Sequence, residues 1–201
     1  MIELYTSDTP NGHKISIMLE EIGLPYGVKK IQLSLGEQKS PKFLKINPNG
    51  KIPAIIDKDN NQRVFESGAI LIYLAEKSKK LLPKNPKARI ETLEWLFFQM
   101  ANIGPMMGQL WHFQGRKPKL RYAFERYHNE VLRIFGVVDG QLAKNRYLAG
   151  NTYTIADIAA WPWMRHYDAL NIDLSPFPNV ARWIAEIAKR PAAKKGITIP
   201  G

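Results

Sequence analysis

"IELYTSDTPNGHKIS", residues 2–16, holds an apolar run, a tight turn and the opening of a helix. Ile2 to Tyr5 reads as a strand. Ile15, Met18, Leu19 and Ile22 then recur at i, i+3, i+4 and i+7, which predicts a helix with one apolar face. Gly23 and Pro25 end it. The turn between the two is Thr9, Pro10, Asn11 and Gly12.

Outward from that turn, short elements of both kinds follow. "GVKKIQL" alternates like a second strand, and "SPKFLKI" is a short helix opened by Ser40 and Pro41. "IPAIID" and "RVFE" flank the turn-rich "KDNNQ" and read as an antiparallel hairpin. Ser67 is expected to cap a helix through about Lys77. The order is β-α-β, short helix, β-β-α, and it fits an α/β unit over residues 1–80. "LLPKNPKA", with prolines at 83 and 86, reads as a linker over 81–86. Everything in 87–201 has helical periodicity, including a stripe of Tyr127, Val131, Phe135, Val138 and Leu142. A mixed unit followed by an all-α unit predicts two packed cores. In "YTIADIAAWPW", Thr154 and Asp157 have the spacing of a capping box, a structural device.

A strand, turn and helix of this kind is where a thioredoxin-like domain carries a Cys-x-x-Cys pair, yet the 201 residues include no cysteine. Disulfides, thiolate metal sites and a cysteine nucleophile of the chain's own are therefore excluded. His13, His128 and His166 lack acidic partners at metal-ligand spacing, so no metal is expected. The formal net charge is +11. Its bases are spread along the chain, and the densest group, Arg116, Lys117, Lys119 and Arg121 around Pro118, reads as a solvated loop. With no helix-turn-helix, zinc or aromatic RNA motif, nucleic acid is not an expected partner. No uncharged apolar run approaches the ~18 residues of a membrane span, and the first residues lack a signal-peptide layout. A cytoplasmic protein with no membrane partner is the expectation.

Two further stretches carry chemistry. In "NGKIPAI", residues 49–55, Pro53 enters a strand whose ladder it cannot join. A cis Ile52–Pro53 bond is one account, and an edge-strand proline is another. In "FESGAI", residues 65–70, Glu66 suits an ammonium while the helix opening at Ser67 suits a carboxylate. Together they would receive an amino-acid head group, although a serine cap alone is the plainer account.

Taken together, "TPNG", "NGKIPAI" and "FESGAI" resemble the glutathione transferase superfamily in order and spacing. "TPNGHKI", "GEQKSPKFLKINPNGKIPAI" and "GPMMGQLWHF" resemble its nu-class, the bacterial disulfide-bond reductase type. They are also similar to the glutathione-binding domain of a yeast nitrogen-regulating prion protein. The resemblance implies a thioredoxin-like N-terminal domain and an all-helical C-terminal one, with glutathione as co-substrate and a homodimeric assembly. It implies that Thr9 and Asn11 lie beside the glutathione sulfur. Gln38 and Lys51 would hold the glycine end, and Ile52, ahead of a cis Pro53, the cysteinyl unit. Glu66 and Ser67 would grip the γ-glutamyl head, Arg126 a ligand carboxylate, and Trp111, His112 and Phe113 would line a second-substrate pocket. The implied activity is glutathione-dependent disulfide reduction, with organic hydroperoxide reduction beside it. Conjugation to electrophiles and a non-catalytic glutathione-fold module are the alternatives.

Overall fold

The computed structural model describes residues 1–118 and 120–201; Lys119 of the basic cluster lies outside the described residues. The chain forms two compact units, Met1–Leu82 with Lys189–Gly201, and Pro83–Ala188.

In the first unit, strands β1 (Ile2–Thr6), β2 (Tyr26–Lys30), β3 (Ala54–Asp57) and β4 (Gln62–Phe65) make one sheet in the order β2-β1-β3-β4. β1 pairs in parallel with β2, Ile2 against Tyr26, and antiparallel with β3, Leu4 against Ile55. β3 and β4 form the expected hairpin, with Ala54 opposite Phe65. This is the mixed four-stranded sheet of a thioredoxin-like domain. Helices α1 (Pro10–Ile22), α2 (Pro41–Leu44) and α3 (Ser67–Ser78) complete the predicted order. α1 buries Ile15, Met18, Leu19 and Ile22, the residues its periodicity selected, and Gly23 ends it in the left-handed conformation. Ser40 caps α2 by accepting from Phe43 N–H at 3.2 Å.

The sequence assigned the whole of 87–201 to the helical domain, and the structure divides that range. A short helix near the C-terminus, Pro191–Gly196, packs on α1 and belongs to the first unit. Its approach is close: a Cβ at Gly196 would sit 2.5 Å from Ile17 Cγ1 and 2.7 Å from the Ile17 backbone. Ser16 Oγ donates to Gly196 O at 2.6 Å, and Arg190 holds Glu21 through bonds of 2.6 and 2.9 Å. A six-residue helix rich in lysine and alanine has no periodicity to announce such a role.

The second unit is all-helical. α4 (Pro86–Phe98) runs through a π-helical turn at Gln99–Ile103 into α5 (Gly104–Gln114), and α6 (Arg121–Leu142), α7 (Ile155–Met164) and α8 (Pro178–Ala188) follow. Val131, Phe135, Val138 and Leu142 of the predicted α6 stripe are buried. Thr154 and Asp157 form the predicted capping box at α7. Asp157 is fully buried and also accepts from Leu148 N–H and Trp183 Nε1–H, each at 3.0 Å. Burial nevertheless lifts its carboxyl to about 6. No described helix is long and apolar enough to cross a membrane.

Candidate functional site

The turn between β1 and α1 is built around Thr9. Its extended backbone (φ −151°) makes it the N-cap of α1, with Pro10 in the first helical position. Thr9 Oγ1 accepts from Gly12 N–H at 3.1 Å. A hydroxyl has one proton and two lone pairs, so this bond leaves the Thr9 proton for another acceptor. Gly12 is required for the approach: a Cβ there would meet Ser7 O and Thr6 Oγ1, each at 2.4 Å. Asn11 stands half-buried in the same first turn. The Thr9 hydroxyl thus stands at the positive end of a helix, where an anion is favoured. Tyr5, the nearest tyrosine along the chain, is not part of this group. It donates to Glu3 Oε2 at 2.6 Å, and its own burial, with that bond, pushes the phenol up to about 12.

The loop before β3 brings a second group together. Asn47 organises it, donating from Nδ2 to Lys51 O at 2.6 Å and accepting from Asn49 N–H at 2.9 Å. Gly50 has φ +63°, and a Cβ on it would press on Gln38 O at 3.2 Å, so Lys51 follows a residue that backs onto Gln38. Gln38 Oε1 is buried with no hydrogen-bond partner among the described residues. The Ile52–Pro53 bond is cis. The ladder of β3 begins at Ala54, so Ile52 and Pro53 lie just ahead of it.

Asn49 Nδ2 reaches Glu66 Oε1 at 3.5 Å, which ties this loop to the start of α3. Here one expectation is corrected. Ser67 does not cap α3; the cap position is Glu66, and Ser67 is the first helical residue. Glu66 has φ +65°, uncommon for a residue with a side chain. Such backbone costs about 1–3 kcal/mol and concentrates at functional sites. Ser67 Oγ, turned away from a capping role, accepts from Lys14 Nζ at 3.2 Å. Sequence reasoning missed Lys14. The signal was there: Lys14, Met18 and Ile22 lie at i, i+4 and i+8, so the lysine shares the apolar face.

The remaining candidates belong to the second unit. Trp111 and His112 are exposed at the end of α5. His112 Nε2 accepts from Arg116 Nε–H at 3.1 Å, and Phe113 stacks on Tyr127 with centroids 5.4 Å apart. Three successive helical residues point in directions about 100° apart, so they do not share one face. Arg126 is exposed on α6 and lines a cavity of about 820 Å³ with Met106, Tyr122, Glu125, Glu130 and Arg133 among others. Trp111, His112 and Phe113 are absent from that lining. Among the described residues no group of three His, Cys, Asp or Glu is placed to hold a metal ion.

A thioredoxin-like sheet with a sulfur-free polar turn, followed by an all-helical unit, marks a two-part class of protein. Residues 2–76 match the N-terminal domain of glutathione S-transferase, and residues 104–191 match the C-terminal domain. The chain belongs to the glutathione S-transferase family, as an enzyme of its nu-like type. It is 45% identical to the disulfide-bond oxidoreductase YfcG of Escherichia coli, over 98% of this chain and 94% of that protein. A family member from Pseudomonas fluorescens, solved with two glutathione bound, superposes with a TM-score of 0.93 at 45% identity, covering 99% of this chain and 93% of that one. A glutathione transferase from Pseudomonas putida, solved with one glutathione disulfide per subunit, gives 0.93 at 43% identity, covering 100% and 92%.

Proposed function

We propose that this enzyme is a glutathione-dependent disulfide-bond reductase, or thioltransferase, whose reacting sulfur comes from glutathione. The observation that carries this reading is the first turn of α1. Thr9 spends an acceptor site on Gly12 N–H and keeps its proton for an anion, in a chain without cysteine. A free thiol titrates at about 8.5, so only a few per cent is thiolate near neutrality. Lowering that value by about 1.5 units takes about 2 kcal/mol. A helix N-terminus supplies ~0.3–1 kcal/mol. A hydrogen bond to a charged group supplies about 1.5–3 kcal/mol. Thr9, Asn11 and the α1 terminus therefore suffice, and no protein base is needed.

In this reading Glu66 takes the γ-glutamyl ammonium, while Ser67 and the start of α3 take its carboxylate. The Ile52 backbone, ahead of Pro53, pairs with the cysteinyl unit, and Gln38 and Lys51 hold the glycine end. The orphaned Oε1 of Gln38 supports this assignment, because it lacks an N–H donor and a tripeptide carries amide N–H groups. Arg126 meets a ligand carboxylate, and the exposed Trp111 and His112 contribute to the second-substrate pocket, with Phe113 turned to Tyr127.

The thiolate attacks one sulfur of a mixed disulfide with glutathione. A new S–S bond forms as the old one breaks, and the electron pair leaves on the substrate thiolate, which is protonated from solvent. Oxidised glutathione departs. Attack on a hydroperoxide oxygen is a side activity of the same thiolate. The enzyme is taken to be a cytoplasmic homodimer. The test is disulfide turnover with glutathione by the purified protein beside a Thr9→Ala, Asn11→Ala double variant. Slower turnover near neutrality is expected; full activity in the variant would refute the site.

A further inference from the structure

Residues 38–52 carry four lysines, Lys39, Lys42, Lys45 and Lys51, and no acidic residue. The fold draws them together and adds a fifth cation. Lys42 and Lys45 lie three apart along α2 and its C-cap, so they are neighbours on one side of that turn. Arg63 of β4 donates to Lys45 O at 3.2 Å. Lys51 is tethered through its carbonyl to Asn47 Nδ2 at 2.6 Å. A Cβ on Gly50, beside it, would touch Gln38 O at 3.2 Å and Leu44 Cδ2 at 3.3 Å. Lys39 follows Gln38 directly. All five cations are exposed, and Leu44 among them is 39% exposed. Among the described residues none of the five meets a carboxylate. Elsewhere in the same unit Lys58, Lys77, Arg190 and Lys195 each do. Like charges this close repel and cost stability, and an acidic partner would relieve that repulsion.

Glutathione brings too little negative charge for this face. It has two carboxylates, and the reading above gives one to Ser67 and the other to Gln38 and Lys51. Lys39, Lys42, Lys45 and Arg63 are left over. The reaction itself brings a second molecule, the disulfide substrate. Lys51 directly precedes Ile52, whose backbone takes the cysteinyl unit in that reading, so the patch borders the cysteinyl unit. We propose, resting on the glutathione reading of the site, that this face docks acidic polypeptide. The enzyme's preferred substrates are then mixed disulfides of glutathione with a cysteine flanked by aspartate and glutamate. An extended chain advances about 3.3–3.6 Å per residue, so carboxylates on a short segment can follow the cations outward from Lys51. Leu44 offers an apolar contact within a charged rim. A nucleic acid would match the charge but contributes no disulfide. Exchange follows the same course as above: the glutathione thiolate attacks the glutathione sulfur of the mixed disulfide, and oxidised glutathione forms. The electron pair leaves on the peptide sulfur, which takes a proton from solvent.

The probes are two short glutathionylated peptides, one with aspartate and glutamate around its cysteine and one with serine and glutamine. Hydroxyethyl disulfide serves as a small neutral substrate. In dilute buffer wild type is expected to use the acidic peptide with a kcat/KM about tenfold or more above that of the neutral one, through KM rather than kcat. In about 1 M salt, where the screening length is about 3 Å, the two are expected to converge. Lys42→Glu combined with Lys45→Glu is expected to abolish the preference while leaving hydroxyethyl disulfide turnover and the oligomeric state unchanged, since neither residue belongs to the proposed glutathione site. Equal kcat/KM for the two peptides in wild type, or a preference that survives the double reversal, overturns the proposal. So does a changed oligomeric state in the variant, which would make the face an interface between copies of the chain. Binding of a single-stranded DNA oligonucleotide through Lys42 and Lys45, in a protein that does not distinguish the peptides, overturns it as well. If the variant does not fold, the salt dependence of the wild-type preference decides. Failure of wild type to turn over hydroxyethyl disulfide with glutathione would instead overturn the glutathione reading itself.

Discussion

Thr9→Ala is the perturbation that weighs most on the proposed mechanism, because it removes two hydrogen bonds of different kinds. The first is the cap, Thr9 Oγ1 to Gly12 N–H at 3.1 Å. Its loss is expected to cost about 1 kcal/mol of stability in the first unit. The second is donation to the bound thiolate, a bond to a charged group worth about 1.5–3 kcal/mol. At about 1.4 kcal/mol per unit, the bound thiol should rise by at least about 1 unit, from about 7 to between about 8 and the ~8.5 of a free thiol. At neutral pH the thiolate population then falls by about 5- to 15-fold. Nucleophilicity rises as basicity rises, with a Brønsted slope of about 0.4–0.5, which returns about 3-fold per unit. Disulfide turnover near neutrality should therefore slow by only about 2- to 5-fold. At high pH the variant should match or exceed wild type. The measurement is the ultraviolet absorbance of the bound thiolate against pH, followed by the pH profile of turnover. Thr9→Ser keeps both bonds and should titrate as wild type does. Superimposable thiolate titrations for wild type and Thr9→Ala would refute the argument, whatever happened to the rate.

Gly196→Ala should destabilise the first unit by about 1–3 kcal/mol, read from a denaturant melt, because its Cβ would press on Ile17 at 2.5–2.7 Å. An unchanged midpoint would mean that the C-terminal helix is not docked on α1 as described. Asp157→Asn places an NH₂ group among the N–H donors of Leu148, Thr154 and Trp183, and should lower the thermal midpoint of the second unit by several degrees. Asp157 also predicts a pH trend. Its folded carboxyl, at about 6, holds a proton more tightly than an unfolded one at 3.8. This group's contribution to stability is thus fullest below about pH 4, falls as the pH rises to about 6 and is constant above. Subtracting the Asp157→Asn stability curve from that of wild type isolates the trend, and a difference rising over that interval would contradict the sign.

Much of the first unit was legible because its elements announce themselves locally. The period of Ile15, Met18, Leu19 and Ile22 defines the buried face of α1, and Pro10 and Gly23 mark its ends. The Thr154–Asp157 box is legible for the same reason, since a capping box is a contact between residues three apart. Thr9, Asn11, Gln38, Lys51 and Glu66 could be singled out only as parts of a pattern whose pieces lie far apart in the chain. The sheet sets β1, just ahead of Thr9, beside β3, just after Lys51, and the intervening loop returns Gly50 against Gln38.

Ser67 and Lys14 mark the boundary most clearly. In the sequence a serine before an apolar run reads as a cap, and Lys14 shows only its place on the apolar face of a helix. Each follows from local hydrogen bonding and periodicity alone. Only tertiary packing sets α1 against α3, buries the Lys14 ammonium and turns the Ser67 hydroxyl toward it across 53 positions of chain. The docking of Gly196 on Ile17 is of the same kind. Local periodicity and capping determined which elements form; which polar groups lose their water, and so acquire unusual chemistry, was decided by contacts between elements distant in sequence, because desolvation depends on everything that surrounds a group in space.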